Sequence, residues 1–307
     1  MPLQIPESST IKAKSAPALL RKADEEGAWR RGIRTLLRSR TATAGAVIIL
    51  FLLACVIIGP AVAPYDPIHQ DLIGKNKAPS ISHWFGTDQF GRDILSRILY
   101  GARISLTLSM GAVAIALVLG LPIGLISGYV GGWIDSVVVA LVDILLAFPT
   151  YLLAIFIVAL MSPSLTTIMA AVGFSTLPAI IRVVRADTLG VKHRELIVAT
   201  RSIGARTPRI LMRHILPNIL GSIAVVTTLR LGTAILVESS LSFLGLGLSP
   251  PQPAWGLMIN EGLRFLGINP WIAVAPGVAI MLTVLGFNLF GDGLRDALDP
   301  RLRGGKQ

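Results

Sequence analysis

The chain has 307 residues, of which 53% are hydrophobic and 15% are charged, and its mean hydropathy is +0.70. Because a soluble domain carries about 25% charged residues, this composition excludes an ordinary soluble enzyme or binding domain and predicts a protein of the lipid bilayer. The formal net charge of +11 is not accompanied by interleaved aromatic residues, so a nucleic-acid partner is not expected.

Six stretches meet or approach the roughly 20 apolar residues that a membrane helix needs. The first, second and sixth contain no charged residue, whereas the third contains Asp143, the fifth contains Arg230 and the fourth is short. The predicted spans are, in chain order, Ala44–Ala63, Ile104–Ser127, Ser136–Met161, Ser164–Ile181, Leu216–Val237 and Pro270–Gly291.

The distribution of Lys and Arg predicts the orientation of these spans. An even number of spans puts both termini on one side, together with the loop between the fourth and fifth spans. Residues 1–42, 182–215 and 292–307 then hold 21 of the 28 Lys and Arg residues. The positive-inside rule therefore predicts that both termini and this loop are cytoplasmic.

The same pattern divides the chain into four regions. They are a basic cytoplasmic tail (1–42), a first transmembrane helix with an external loop (43–103), a core with five transmembrane helices (104–291) and a cytoplasmic C-terminal tail (292–307). In the N-terminal tail, the helical spacing of apolar residues from Trp29 to Leu37 predicts either a helix on the membrane surface or a charged anchor that fixes topology.

The end of the external loop has the pattern of an interfacial amphipathic helix. Its predicted apolar face contains Ile94, Leu95, Ile98 and Leu99, and its predicted polar face contains Arg92, Asp93, Ser96 and Arg97.

Glycine recurs every four residues in and just after the second span, at Gly120, Gly124, Gly128 and Gly132. Such a stripe leaves a groove in which another helix backbone can approach closely. The stripe predicts tight packing inside the subunit or, as the alternative, against a second membrane subunit.

The basic loop between the fourth and fifth spans has a helix, a stop and a second helix. Glu195–Ile203 predicts a short helix that ends at Gly204, a residue that tolerates a left-handed backbone. Thr207 is the predicted cap of the next helix, with Pro208 at its first position. Pro217 predicts a kink where that helix enters the membrane. The loop therefore presents a short helix to the cytoplasm, where another protein can contact it.

This loop resembles the cytoplasmic loop of binding-protein-dependent ABC importer permeases, whose signature reads E-A-A, three residues, G, nine residues, then I-x-L-P. Here V-A-T, Gly204 and Leu216-Pro217 fall at that spacing, with Val198 in place of the signature Glu, Thr200 in place of the second Ala and His214 in place of the Ile. Because the Glu is replaced, the carboxylate contact that it makes in other members is not expected here.

Four further segments resemble the dipeptide/oligopeptide branch of that family, and they extend the resemblance from about Pro60 to the C-terminus. They are HWFGTDQFGRDILSRILYGARISL from His83, DILLAFPTYLLAI from Asp143, ESSLSFLGLGLSPPQPAWG from Glu238 and FNLFGDGLRDALDPR from Phe287.

The resemblance implies an all-α membrane protein with six transmembrane helices of the ABC importer type I permease fold, and a cytoplasmic coupling helix between spans 4 and 5. It implies a permease subunit that forms the solute path of an importer in a bacterial or archaeal cytoplasmic membrane. The substrates of this branch are most often di- and oligopeptides, with nickel complexes and glutathione as alternatives. The implied partners are two cytoplasmic ATPase subunits, a second and usually different permease, and an external solute-binding protein.

The resemblance also assigns a role to the residues of the loop. Those expected to couple the permease to the ATPases are Glu195, Val198, Ala199, Thr200, Arg201, Ser202, Ile203, Gly204, Ala205 and Pro217.

Ionisable residues within spans are candidates for the solute path. A charge in the middle of a bilayer costs about 2.5–3.5 kcal/mol on insertion scales, so such groups usually face a bundle interior or a wet cavity. Asp143, Arg230 and Glu238 meet this description, and the last two are eight residues apart, on one face of the fifth span. The alternative is that these residues form structural pairs or lie near the membrane surface.

No motif for catalysis is present. The sequence lacks the G-x-x-x-x-G-K-[ST] phosphate loop, the G-x-S-x-G elbow and the H-E-x-x-H helix. The four histidines are far apart and Cys55 is the only cysteine, so neither a metal site nor a disulfide is expected. We expect no catalytic residue and no cofactor in this chain, with ATP and Mg²⁺ bound by the partner ATPases. The main rival is a secondary transporter driven by an ion gradient, although such proteins usually show paired halves with broken helices.

Overall fold

The structure is a computed structural model that describes residues 36, 39–162 and 164–298. The helix predicted around Trp29 and the end of the C-terminal tail lie outside the described residues. In the part that is described, the chain is helical, without a β-strand. The α-helices are α1 (Arg40–Val62), α2 (Ile94–Val130), α3 (Gly132–Ala147), α4 (Thr150–Leu160), α5 (Leu165–Lys192), α6 (Glu195–Ser202), α7 (Thr207–Ile210), α8 (Leu216–Phe243), α9 (Trp255–Leu263) and α10 (Trp271–Leu298).

Five segments are long and apolar enough to cross a membrane, namely α1, α2, α5, α7 with α8, and α10. The predicted third span is instead two helices, α3 and α4, that meet at an angle of 91°. The break follows from Pro149, which restricts Phe148 before it to an extended backbone. The count of six spans therefore holds when this bent pair is taken as one span.

The glycine stripe of α2 packs against α5 in the same subunit. A β-carbon added at Gly124 would lie 2.8 Å from the Cβ atom of Val184, and one added at Gly128 would lie 2.8 Å from the carbonyl oxygen of Arg185. Gly120 also faces α5, whereas Gly132 has no atom within 4 Å of its added β-carbon. Packing inside the subunit is thus confirmed for three of the four glycines.

The remaining long helices surround this central pair. The helix α10 packs between α1 and α8, and Gly286 of α10 allows α1 to approach closely at Ile48. The contact between α8 and α10 includes Leu229, which packs on Gly291. The helix α9 packs against both α8 and α10.

At the N-terminal end of α2, residues 64–93 and 249–270 fold together into a unit that we call the cap. The cap lies at the opposite end of α2 from α6, since the C-terminal half of α2 packs on the last turns of α5. The amide of Asn269 ties its two segments together by donating to the carbonyl oxygens of Lys77 and Thr87, at 3.0 Å each.

The predicted interfacial helix at the end of the external loop is wrong. Its apolar residues are the first turn of the 37-residue helix α2, and the side chains of Arg92 and Arg97 are only 1% exposed. Arg92 donates to Asp88 at 2.6 Å and to Glu261 at 2.9 Å, and Arg97 donates to Glu261 at 3.3 Å. The polar face is buried because Glu261 of α9 supplies a carboxylate that is distant in sequence.

Candidate functional site

The segment of residues 193–215, which we call the connecting loop, joins α5 to α8 and contains α6. Among the residues of α6, only Ile197 is buried. A helix of eight residues is too short to be stable in water by its own hydrogen bonds. The position of α6 therefore depends on Ile197 and on how the two ends of the helix are held.

The C-terminal end of α6 is closed by a left-handed glycine, as predicted. Gly204 has φ +81°, its N–H donates to the carbonyl oxygen of Arg201, and the N–H of Ala205 donates to that of Thr200. These two bonds form the Schellman motif, which satisfies carbonyl groups that the end of a helix leaves free. An added β-carbon at Gly204 would meet no atom within 4 Å, so glycine is needed there for its backbone conformation rather than for space.

The start of the next helix differs from the prediction. Thr207 is the first residue of α7 instead of its cap, Arg206 occupies the cap position, and no side chain there accepts a backbone hydrogen bond. A π turn over Leu211–Ile215 precedes Pro217, and Thr207–Phe243 runs through it as one long helix, so the kink at Pro217 stays a prediction. Proline has no N–H to donate, and a π turn is one way in which a helix accommodates the missing bond.

Apolar side chains anchor the connecting loop to the bundle. Ile197, Ile210, Leu211 and Ile215 belong to one buried cluster with residues of α5 and α8, and Ala205 packs against it. A displacement of α6 would therefore be transmitted to the helices of the bundle, because packed side chains leave little free space.

The outward side of α6 carries both apolar and charged residues. Val198 is 51% exposed and Ile203 is 84% exposed. The hydroxyl groups of Thr200 and Ser202 donate to the carbonyl oxygens of Leu196 and Val198 within α6, so they are already engaged. Among the other predicted coupling residues, Glu195, Ala199, Arg201 and Pro217 are exposed.

Asp143 forms an ion pair with Arg182 of α5, and not with another of the predicted path residues. Two turns earlier on α3, Asp135 accepts hydrogen bonds from Arg185, at 2.5 and 2.7 Å, and from Ser127. Two ion pairs thus join α3 to α5, which supports the structural alternative for Asp143.

The structure does not bring Arg230 and Glu238 together either. Glu238 is fully buried and accepts hydrogen bonds from the hydroxyl groups of Ser242, at 3.0 Å, and Ser239, at 3.3 Å. Arg230 is half-buried on α8. Within residues 39–162 and 164–298, the structure gives Arg230 no ion pair and no hydrogen bond.

Comparison with known families assigns the chain. Residues 120–304 match the family described as "Binding-protein-dependent transport system inner membrane component", and residues 27–79 match the "N-terminal TM domain of oligopeptide transport permease C". The chain belongs to this family of transport permeases. It is a permease subunit of an ABC importer and a multi-pass membrane protein.

Characterised relatives align with almost the whole permease. The glutathione transport system permease protein GsiD of Escherichia coli is 44% identical over 293 residues, which are 95% of this chain and 97% of the relative. The dipeptide transport system permease protein DppC of Alkalihalophilus pseudofirmus is 44% identical over 275 residues, 90% of each chain.

A solved structure shares the fold of the permease. It is an inward-facing conformation of the MetNI methionine ABC transporter, with a TM-score of 0.54 and 22% identity. The match covers 66% of this chain and 96% of the other. Together with the family match, it confirms the predicted fold class.

Sequence reasoning missed three features of the permease that the site requires. Arg182 and Arg185 were counted only as basic loop residues, although their three-residue spacing matches one helix face. Asp135 and Asp143, eight residues apart on α3, carried the complementary signal. Ile197 gave no signal of its own, since Leu196 and Val198 beside it are also apolar and a helix of eight residues is too short to show a period.

Proposed function

We propose that this permease forms, with a second and different permease, the membrane path of an importer for small peptides. Two ATPase subunits would bind the connecting loops of the two permeases in the cytoplasm, and a solute-binding protein would deliver the solute to the cap side. Hydrolysis of ATP would take place in the partner subunits.

The observation that carries this proposal is the construction of α6. It is a short helix, exposed on all sides but one, and that one side is fixed to the bundle core through Ile197. Such a helix gains most of its order from a second surface, so it fits a docking element better than a simple linker. The exposed apolar side chains of Val198 and Ile203 would fill a groove on the ATPase, and the arginines of the connecting loop would lie at the rim.

The coupling step follows from the packing of the connecting loop. When the ATPases close, they would move α6 as a rigid body, and the apolar cluster of Ile197, Ile210 and Ile215 would transmit the movement to α5 and α8. The residues proposed for this contact are those that the family signature assigned, from Glu195 to Ala205, together with Pro217.

Two relatives support small peptides as the substrate class. The names of GsiD and DppC give glutathione and dipeptides as their solutes, and glutathione is itself a tripeptide. Among the predicted path residues, Arg230 is the one whose surroundings in the structure suit contact with a solute. Asp143 would hold α3 on α5, and Glu238 would hold the end of α8 in the interior.

Transport by the purified complex tests this function. The tagged permease, extracted from native membranes, should retain two ATPases and a second permease, and proteoliposomes should take up labelled dipeptide or glutathione only with ATP and the solute-binding protein. A secondary transporter would instead take up solute without ATP and lose this activity when ionophores collapse the ion gradients. Uptake of that kind would contradict the proposal.

A further inference from the structure

A turn of the cap, at residues 80–84, exposes two large apolar side chains. Ile81 is 99% exposed and Trp84 is 71% exposed. No Asp, Glu, Lys or Arg occurs between Lys77 and Asp88, although the cap has charged residues on both sides of this stretch. Single exposed apolar residues are common on protein surfaces, so the position of the turn relative to the bilayer decides what these two side chains contact.

The first fixed point of the turn is the end of α1. Tyr65 lies three residues beyond Val62, the last residue of this helix, and its hydroxyl donates to the carbonyl oxygen of Ser82 at 3.0 Å. The ring of His83 lies against the ring of Tyr65, with 4.6 Å between the centroids. The turn is therefore within one tyrosine side chain of the point where α1 ends.

The second fixed point is the start of α10. Phe85, which follows the turn, lies against Trp271, the first residue of α10, with 5.7 Å between the ring centroids. Both α1 and α10 are long and apolar enough to cross a membrane, and these ends of the two helices meet at the cap. Because the turn is held between the ends of two spans, residues 80–84 lie at the depth of the bilayer surface.

The polar groups of the turn are already paired. The carbonyl oxygen of His83 accepts from the N–H groups of Ser80 and Gly86, at 2.8 and 2.9 Å, and the N–H of His83 donates to the hydroxyl of Ser80 at 3.1 Å. The Nδ1 atom of His83 lies 2.9 Å from the buried carboxylate of Asp93. Since an unpaired backbone group in lipid costs several kcal/mol, this pairing lets the turn contact lipid with its apolar side chains.

We propose that residues 80–84 form an interfacial anchor, in which Ile81 and Trp84 insert among the lipids of the leaflet on the cap side. Tryptophan is enriched at the depth of the headgroups, because its ring is apolar and its N–H is polar. The exposed side chains of Ile57 and Val62 at the end of α1 continue the same lipid-facing surface. The anchor holds the cap at a fixed height on the bilayer, and it requires only that the chain spans a membrane.

Spin labelling in nanodiscs measures where residue 81 lies. In a Cys55→Ser background, Ile81→Cys carries a single thiol for a nitroxide, in a complex whose partner subunits are free of cysteine. The measured quantity is the accessibility of the nitroxide to oxygen, which concentrates in lipid, divided by its accessibility to a water-soluble nickel chelate. Val62→Cys is the reference for lipid and Lys75→Cys is the reference for water. We expect the ratio at residue 81 to approach that at residue 62 and to exceed that at residue 75 several-fold.

Two exposed tryptophans provide a matched control. Trp84→Ala should lower the oxygen-to-nickel ratio at residue 81, because the turn loses its larger contact with lipid. Trp133→Ala should leave the ratio unchanged, since Trp133 is 76% exposed but lies at the start of α3, at the opposite end of α2 from the cap. Equal effects of the two substitutions would contradict the role of Trp84.

Lipid charge separates apolar insertion from electrostatic binding. Because residues 78–87 carry no Asp, Glu, Lys or Arg, the ratio at residue 81 should be the same in pure phosphatidylcholine and in nanodiscs that contain phosphatidylglycerol. A ratio that rises only with phosphatidylglycerol would assign the contact to Lys75 and Lys77, and the insertion of Ile81 would be wrong.

Two further outcomes would overturn the anchor. High accessibility of residue 81 to the nickel chelate would place the turn in water, and its loss on addition of the solute-binding protein would assign the surface to that partner. Low accessibility to both reagents without the solute-binding protein would show that the second permease covers the turn. A complex that imports no peptide can still give the expected ratio, so failure of the proposed function and failure of the anchor are distinguishable.

Discussion

The cap and the connecting loop lie at opposite ends of α2 and are stabilised in opposite ways. The cap buries two arginines and two carboxylates in one network, so its charged groups find their partners within the subunit. The connecting loop keeps most of its charged groups exposed and has Ile197 as the only buried residue of α6. The charged network of the cap is therefore complete in the single chain, whereas the exposed charges of the connecting loop fit the contact that we propose with a second protein.

This difference separates two kinds of charged sequence. The segment from Thr87 to Arg97 and the segment from Glu195 to Arg206 both contain several charged residues, yet the first serves internal stability and the second, as we propose, serves association. Substitutions in the cap should act on the free energy of unfolding, and substitutions in the connecting loop should act on transport and assembly. Four experiments test this division.

The largest effect is expected when a buried charge of the cap is removed. Arg97→Gln would leave the carboxylates of Asp88 and Glu261 with one cation fewer, and loss of one partner of a buried ion pair costs about 3–5 kcal/mol. Thermal unfolding in detergent, followed by size-exclusion chromatography, should show a large loss of folded protein. Lys75→Gln, at an exposed position of the cap, is the control and should leave unfolding unchanged. A wild-type unfolding temperature for Arg97→Gln would contradict the role of the network.

A smaller loss of stability is expected at Gly91. This residue has φ +75°, and a methyl group added there would overlap the carbonyl oxygen of Asp71. A strained left-handed residue costs about 1–3 kcal/mol, so Gly91→Ala should lower the unfolding temperature measured in the same assay. Gly267→Ala is the matched control, since an added β-carbon there meets no atom within 4 Å. Equal stability of the two variants would show that the cap adapts to a side chain at residue 91.

In the connecting loop, the expected change is in coupling rather than in stability. Gly204→Val places a β-branched side chain at φ +81°, which costs about 1–2 kcal/mol and disturbs the end of α6. The variant should insert like the wild type and, because α6 has only one buried residue, lose folded protein less than Gly91→Ala does, but it should bind the ATPases weakly and lose solute-stimulated ATP hydrolysis. Ser202→Ala, whose hydroxyl bonds only within α6, should behave like the wild type. Normal assembly and transport by Gly204→Val would contradict the assignment of α6 as the coupling helix.

The smallest perturbation tests the orientation of the two regions. In a Cys55→Ser background, Lys75→Cys of the cap and Arg206→Cys of the connecting loop each carry a single thiol, one in each region. An impermeant thiol reagent added to intact cells should label the cysteine at residue 75 and not the one at residue 206. Labelling of residue 206 from outside would overturn the predicted topology.

Sequence reasoning succeeded where the structural cause is local or periodic. The glycine stripe of α2 and the left-handed Gly204 were predicted because spacing and backbone conformation are properties of a short segment. The break at Phe148–Pro149 was missed because the apolar composition continues across it. A hydropathy profile gives the composition along the chain, and it carries no information on the direction in which a helix runs. Arg97 was predicted to be on an exposed polar face because its partner, Glu261, lies 164 residues away in the sequence.

The candidate site shows the same limit. The signature located α6 and its terminal glycine, but it gave no information on which side of α6 would be buried. Arg230 was predicted from its charge within an apolar span, whereas only the structure shows that it lies half-buried on α8, without an ion pair among the described residues.

The π turn at Leu211–Ile215 places an extra residue between α7 and α8. A π turn holds about one residue more than an α-helical turn in nearly the same rotation, whereas each residue of a regular α-helix rotates the chain by about 100°. Deletion of one residue from the π turn would therefore restore a regular helix and leave α6 facing almost the same way, but the same deletion within α8 would rotate everything before it, including α6, by about 100° around the axis of α8. The π turn is the point of this segment at which chain length can change with the least effect on the direction of α6.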